Sequence, residues 1–160
     1  MSEISDALAP MSTPVPEVFK IFSLHRYFIW SIEMREHFQQ MGKQFSPTPS
    51  FFDNEDAGRA FMYLSYWYAG LFVVCEGWQD LKLADSEIDG LLASSNLELL
   101  KRFRNGVYHF QPDYFDKRLM NPFVLGKDYD DWVESLTHAF ARYLDAWAKS
   151  QTAVLDQPQP

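Results

Sequence analysis

The residues best placed to do chemistry lie in one short stretch, Arg102-Phe103-Arg104-Asn105-Gly106-Val107-Tyr108-His109. Arg104 precedes His109 with four residues between, and Asn105 follows the arginine directly. On a helix advancing roughly 100° per residue, Asn105 and His109 lie roughly 40° apart and share a face. Arg104 is about 140° from His109, but its long side chain can swing toward the same pocket. A guanidinium and an imidazole repel when both are charged, and each wants an anion. A phosphate satisfies both.

Local charge points the same way. The whole chain carries 14 basic and 22 acidic residues, a formal charge of −8. Between Lys101 and Arg118, however, Lys101, Arg102, Arg104, Lys117 and Arg118 face only Asp113 and Asp116, giving +3 over 18 residues. The other 142 residues therefore carry −11. A uniformly acidic surface excludes a general nucleic-acid coat protein but leaves room for one small basic site.

Other constellations carry less. No GxSxG elbow, GxxxxGK[ST] phosphate loop or HExxH occurs, and no histidine has Glu three residues before it. Glu33/His37 and Glu134/His138 share helix faces at i,i+4, and we read both as surface hydrogen-bonded pairs rather than metal sites. Cys75, the single cysteine, lies on an apolar stripe and reads as a buried, unreactive thiol. His25 and His138 read as packing or surface residues. No metal and no cofactor are expected.

Helices must position these groups. Ala57, Phe61, Leu64, Trp67, Tyr68, Leu71, Val74, Cys75 and Trp78 recur every three or four residues, the clearest helical signal in the chain. Asp53, Asn54, Glu55 and Asp56 supply its caps and suit its positive end. Tyr129, Trp132, Val133, Leu136, Phe140, Tyr143, Leu144 and Trp147 repeat the pattern after Asp128, Asp130 and Asp131.

A first helix, residues 17–43, has a wider apolar surface: Phe22, Phe28, Ile29 and Ile32, with Leu24, Tyr27, Met34 and Phe38 beside them. That breadth predicts contacts on more than one side, including a second subunit. Gly42 is expected to stop it, with residues 45–54 as a loop. A short helix is expected near Glu87–Ala93. Ser95-Asn96-Leu97-Glu98 has the form of a capping box opening the helix that carries Arg104. Leu97, Leu100, Phe103 and Val107 form its buried side, and Pro112 ends it soon after His109. Gly106 inside this helix costs about 1 kcal/mol against Ala, which a close neighbour or ligand would explain.

The expected architecture is all-α, an antiparallel four-to-five-helix bundle over residues 17–150, with tails at 1–16 and 151–160. The segment Asp113–Lys127 is read either as a substrate lid or as packing on the bundle. The longest uncharged run, Ala60 to Cys75, is sixteen residues, short of the roughly 20 that span a bilayer. With no basic start or apolar signal core, a cytoplasmic protein without a membrane role is expected.

RNGVYH late in such a bundle, preceded by LFVVCEGWQDL and LLKRF, resembles the signature of the HEPN superfamily: Arg, four to six residues, then His, often with Asn directly after the Arg. The resemblance spans residues 17–149, with RNGVYH its specific core. It implies an all-helical, dimeric fold and, for many members, metal-independent endoribonuclease activity in toxin–antitoxin or other defence systems, with an antitoxin protein as partner. Arg104 and His109 would then be the catalytic pair, assisted by Asn105, in a cleft of a homodimer. One subfamily carries a tyrosine two residues after the His; Gln111 stands there instead, which argues against regulation by a nucleotidyltransferase acting on such a tyrosine.

The chemistry is coherent with RNA, which supplies its own nucleophile. Lys101, Arg102, Lys117 and Arg118 would bind the substrate's phosphates and Tyr108 its bases. Tyr108, Phe110 and Tyr114 can all stack on splayed bases, although core packing is expected for at least two of them. Two other readings stay open. One is a non-catalytic HEPN-like module binding RNA, a nucleotide or a protein. The other is a helical interaction protein in which Arg104 pairs with an acid such as Glu76 and His109 is structural.

Overall fold

The computed structural model describes residues 16–44, 55–126 and 128–155, and these form six helices and no strand. They are α1 (Glu17–Gln44), α2 (Glu55–Asp80), α3 (Ser86–Leu92), α4 (Asn96–Tyr108), α5 (Lys117–Leu125) and α6 (Tyr129–Leu155). The expected tail residues 1–15 and 156–160, the loop 45–54 and the caps Asp53 and Asn54 lie outside the described residues.

Contacts between the long helices give their directions. Ser31 Oγ donates to the Trp67 carbonyl at 3.0 Å, and His37 stacks on Tyr63 at 5.0 Å, so α1 runs antiparallel to α2. Arg35 meets Glu134 at 2.6 Å while Phe22 meets Trp147 at 5.0 Å, which sets α1 antiparallel to α6 as well. Arg104 meets Glu76 and Tyr108 meets Tyr66, so α4 is antiparallel to α2. The long helices therefore alternate in direction, an up-down-up-down bundle.

The core follows the apolar stripes. Leu71, Val74 and Trp78 of α2, Leu100 and Phe103 of α4, and Val133, Leu136, Phe140 and Leu144 of α6 are sealed from solvent. Each such side chain contributes about 1.5–3 kcal/mol relative to exposure. Buried ring nitrogens find partners where they can: Trp78 Nε1 donates to Asp89 Oδ1 and Trp132 Nε1 to the Leu91 carbonyl, each at 3.0 Å. These two bonds tie the small α3 to α2 and α6. No helix among the described residues is long and apolar enough to cross a membrane.

Several local expectations change. Gly42 does not stop α1, which continues to Gln44; one glycine costs about 1 kcal/mol, too little to end a long helix already packed along its neighbour. The Ser95–Glu98 capping box does not form. Ser95 has helical angles and no side-chain cap bond; Ser94 Oγ instead accepts from Asn96 N–H at 3.2 Å, and Glu98 pairs with Arg102. Helix α6 runs to Leu155, past the expected end at residue 150. The segment after Asp113 holds an unexpected helix, α5, capped by Asp116, whose side chain accepts from Arg118 N–H at 2.9 Å.

Glycine 106 is explained by α5. A Cβ there would meet Leu119 Cδ2 at 2.8 Å and Arg118 Cβ at 3.1 Å. The missing side chain lets α5 lie directly on α4. Phe123 reaches past it to the Phe103 and Tyr68 rings, at 6.1 and 6.5 Å.

Candidate functional site

Arg104 is held between α2 and α4. Its Nη2 donates to Glu76 Oε2 at 2.7 Å and its Nη1 to Asn105 Oδ1 at 3.0 Å. The guanidinium carbon sits 5.5 Å from the Phe72 ring centre, a cation–π distance. The pair is half-open to solvent, with side-chain exposures of 29% for Arg104 and 40% for Glu76. An ion pair this wet contributes little to stability. It does fix the guanidinium at the surface of the α2/α4 groove.

His109 departs from the helical geometry expected of it. Helix α4 ends at Tyr108, and His109 has extended angles, φ −120° and ψ 129°. The 40° relation to Asn105 therefore does not apply to its side chain. The backbone still closes the helix, His109 N–H donating to the Asn105 carbonyl at 3.2 Å. Gln111 Nε2 donates to the His109 carbonyl at 2.6 Å. The imidazole is exposed and, among the described residues, has no hydrogen-bond partner. Asn105 spends its side-chain oxygen on Arg104, not on His109.

A cavity of about 310 Å³ opens beside His109, at the corner between α4 and α5. Phe61, Phe110, Tyr114 and Phe115 form its aromatic walls, with Gln111 and Asp113 at its polar edge. Arg104 and Asn105 lie outside it. Within one chain, then, the two members of the motif serve neighbouring but separate places: the guanidinium the α2/α4 groove, the imidazole the α4/α5 corner.

The aromatic side chains at this corner overturn one expectation. Tyr108, Phe110 and Tyr114 are 56%, 92% and 58% exposed, so none is core. Helix α4 ends at Tyr108 and His109 is extended, so Phe110 and Tyr114 lie beyond the helix and join no buried stripe. Phe115 is 56% exposed and packs edge-on to Tyr114 at 5.1 Å. Phe61, Gln111, Asp113 and Phe115 were not among the candidates. Phe61 belongs to the periodic stripe of α2; the signal of the other three is an aperiodic aromatic run interleaved with polar residues around a proline.

The basic stretch is largely neutralised locally. Arg102 pairs with Glu98 at 3.2 Å, Arg104 with Glu76, and Arg118 with Asp116 at 3.3 Å. Lys101 is exposed at a groove that includes Glu76 and Glu98. Lys117 is exposed at the start of α5. The local +3 therefore does not form one open basic patch.

The remaining candidates resolve as follows. His37 Nε2 lies 3.4 Å from Glu33, a surface pair as expected. Glu134 instead takes a two-pronged bond from Arg35, because the antiparallel α1 brings a guanidinium over it. Burial pushes the Cys75 thiol well above its ordinary range, so it is no nucleophile. Among the described residues no group of His, Cys, Asp and Glu is gathered to hold a metal ion. No protein-family model matches the chain, and no curated protein or solved structure matches it.

Proposed function

We propose that this chain is a metal-independent endoribonuclease of HEPN type, working as a homodimer that faces two copies of the Arg104/His109 surface. The observation that carries the reading is the state of His109: an exposed imidazole without a partner, five residues from a guanidinium whose neighbours fix its position. An imidazole can both take and give a proton. His109 removes the 2′-hydroxyl proton as that oxygen attacks the adjacent phosphorus. The bond from phosphorus to the 5′-oxygen breaks, and a second imidazole, from the other copy, protonates the leaving oxygen. Products are a 2′,3′-cyclic phosphate and a 5′-hydroxyl. Arg104 neutralises charge building on the phosphoryl oxygens, and Asn105 holds it in place. With the two groups in neighbouring but separate places of one chain, the proposed second copy brings a guanidinium and an imidazole to one phosphate.

One observation favours a second reading. The Arg104–Glu76 pair anticipated for a helical interaction protein is present; with His109 exposed rather than structural, it suits a non-catalytic module that binds RNA, a nucleotide or a protein through that corner. Incubation of labelled RNA in EDTA separates the two. Chelator-resistant cleavage lost in both His109→Ala and Arg104→Ala supports the nuclease. RNA retention without product supports the binding module, and cleavage that survives both substitutions removes the site assignment.

A further inference from the structure

The cavity beside His109 has a chemical character that the cleavage mechanism does not use. Its walls are aromatic, and a ring as exposed as Phe110 gives a flat face on which a planar group can stack. Its volume of about 310 Å³ lies at the small end of ligand pockets, which run roughly 300–1,000 Å³. That suits one base rather than an extended ligand.

Its polar edge is rich in acceptors. Asp113 offers a carboxylate, which only accepts hydrogen bonds. Phe115 N–H donates to Asp113 Oδ1 at 3.0 Å, which fixes the carboxylate and leaves Oδ2 to accept from a ligand. Gln111 spends its Nε2 on the His109 carbonyl, and its own side-chain oxygen stays an acceptor. Neither Lys nor Arg lines the cavity. The complement is a flat ring with adjacent N–H donors on one edge. Guanine presents such a pair, N1–H and the N2 amino group. Adenine offers an acceptor at N1, and uracil flanks its one N–H with acceptors.

We infer that this cavity is a base pocket selective for guanine, seating the base next to the phosphate that His109 acts on; the placement of that phosphate rests on the ribonuclease reading, the base selectivity does not. The exposed Phe110 ring holds the face of the base, and Asp113 reads its edge.

Two measurements on the full chain test this separately from cleavage. In the first, guanosine 3′-monophosphate and adenosine 3′-monophosphate are titrated by calorimetry into wild type, Asp113→Asn and Phe110→Ala. The expected result is tighter binding of the guanosine nucleotide by wild type. Asp113→Asn should lower that preference by about tenfold, since a charge-assisted acceptor is lost. Phe110→Ala should weaken both nucleotides by about tenfold through lost stacking. Equal binding of the two nucleotides by wild type, or no binding of either, overturns the proposal. In the second, cleavage positions are mapped on an RNA of mixed sequence in EDTA. Cuts clustered beside guanine support the pocket, and cuts indifferent to the base overturn it while leaving the nuclease standing. Guanosine-selective binding without cleavage keeps the pocket and removes the nuclease.

Discussion

Two aromatic populations of this molecule meet opposite fates. Between α2 and α6, Trp78 and Phe140 lie 5.6 Å apart, edge to face and fully buried, with the Trp78 N–H satisfied by Asp89. At the α4/α5 corner, Phe110, Tyr114 and Phe115 are more than half exposed around a cavity. The residue types are alike, so composition does not separate them. Periodicity does. The first set sits on helical stripes, and the second lies in a proline-broken segment with no stripe to join. Rings in the first set stabilise the fold. Rings in the second meet solvent over more than half of their surface.

That contrast can be broken by substitution, beginning with the largest effect. Phe140→Ala should cost about 3–5 kcal/mol in urea unfolding, because it empties a site the neighbours cannot refill. Gly106→Val should cost about 1–3 kcal/mol, since its added carbons run into Leu119 and the Arg118 Cβ. The same variant should push α5 off α4, which near-ultraviolet circular dichroism of the nearby Phe123 and Tyr68 rings would report.

Asp85→Ala tests a polar anchor of the sealed side. Asp85 caps α3, accepting from Glu87 and Ile88 N–H at 3.1 Å each, and Arg142 of α6 meets it at 2.7 Å. Losing the cap alone should cost about 1 kcal/mol. The Arg142 guanidinium also holds the Asp85 carboxyl below its usual range. Its contribution is therefore present above the ordinary carboxylate pKa and is lost as pH falls through the depressed folded-state value. Wild type should lose more stability than Asp85→Ala between neutral pH and about pH 3. Phe110→Ala should be the smallest change, within about 0.5 kcal/mol, because its ring is 92% exposed. A large loss there would show that the corner is core after all.

The sequence made the bundle legible wherever one stripe faced one core. The α2 and α6 stripes read directly, since Leu64 through Trp78 and Trp132 through Leu144 follow helical spacing and are buried. The wide surface of α1 meets two neighbours, Ser31 touching Trp67 of α2 and Phe22 touching Trp147 of α6, while Ile29 is exposed. What failed depended on partners distant in the chain. Glu134 looked like a partner for His138 until α1 brought Arg35 to it. Ser95 had the right spacing to Glu98 for a box, but Arg102 one turn on took that carboxylate. Helix α5 was hidden by Pro122 and by its short length.

For the candidate site, the motif was visible and its geometry was not. Spacing put Asn105 and His109 on one helical face, but the helix stops one residue too soon. Pro112 reads as a terminator, but that the helix already ends at Tyr108 and leaves Phe110 and Tyr114 exposed follows only from the folded chain. Charge counting gave +3 between Lys101 and Arg118, and it could not show that three of those arginines each find a carboxylate.

In the proposed function, the corner acts on RNA through the substrate's own 2′-hydroxyl with His109 as proton carrier. A matched pair of oligonucleotides, all-RNA and the same sequence with 2′-deoxyribose throughout, incubated with wild type and His109→Ala in EDTA, tests it most directly. Cyclic-phosphate products are expected from the all-RNA strand alone, with a drop of about 10²–10⁴ in rate for His109→Ala and an unchanged melting temperature. Cleavage of the deoxy strand, or equal rates for wild type and His109→Ala, would contradict it.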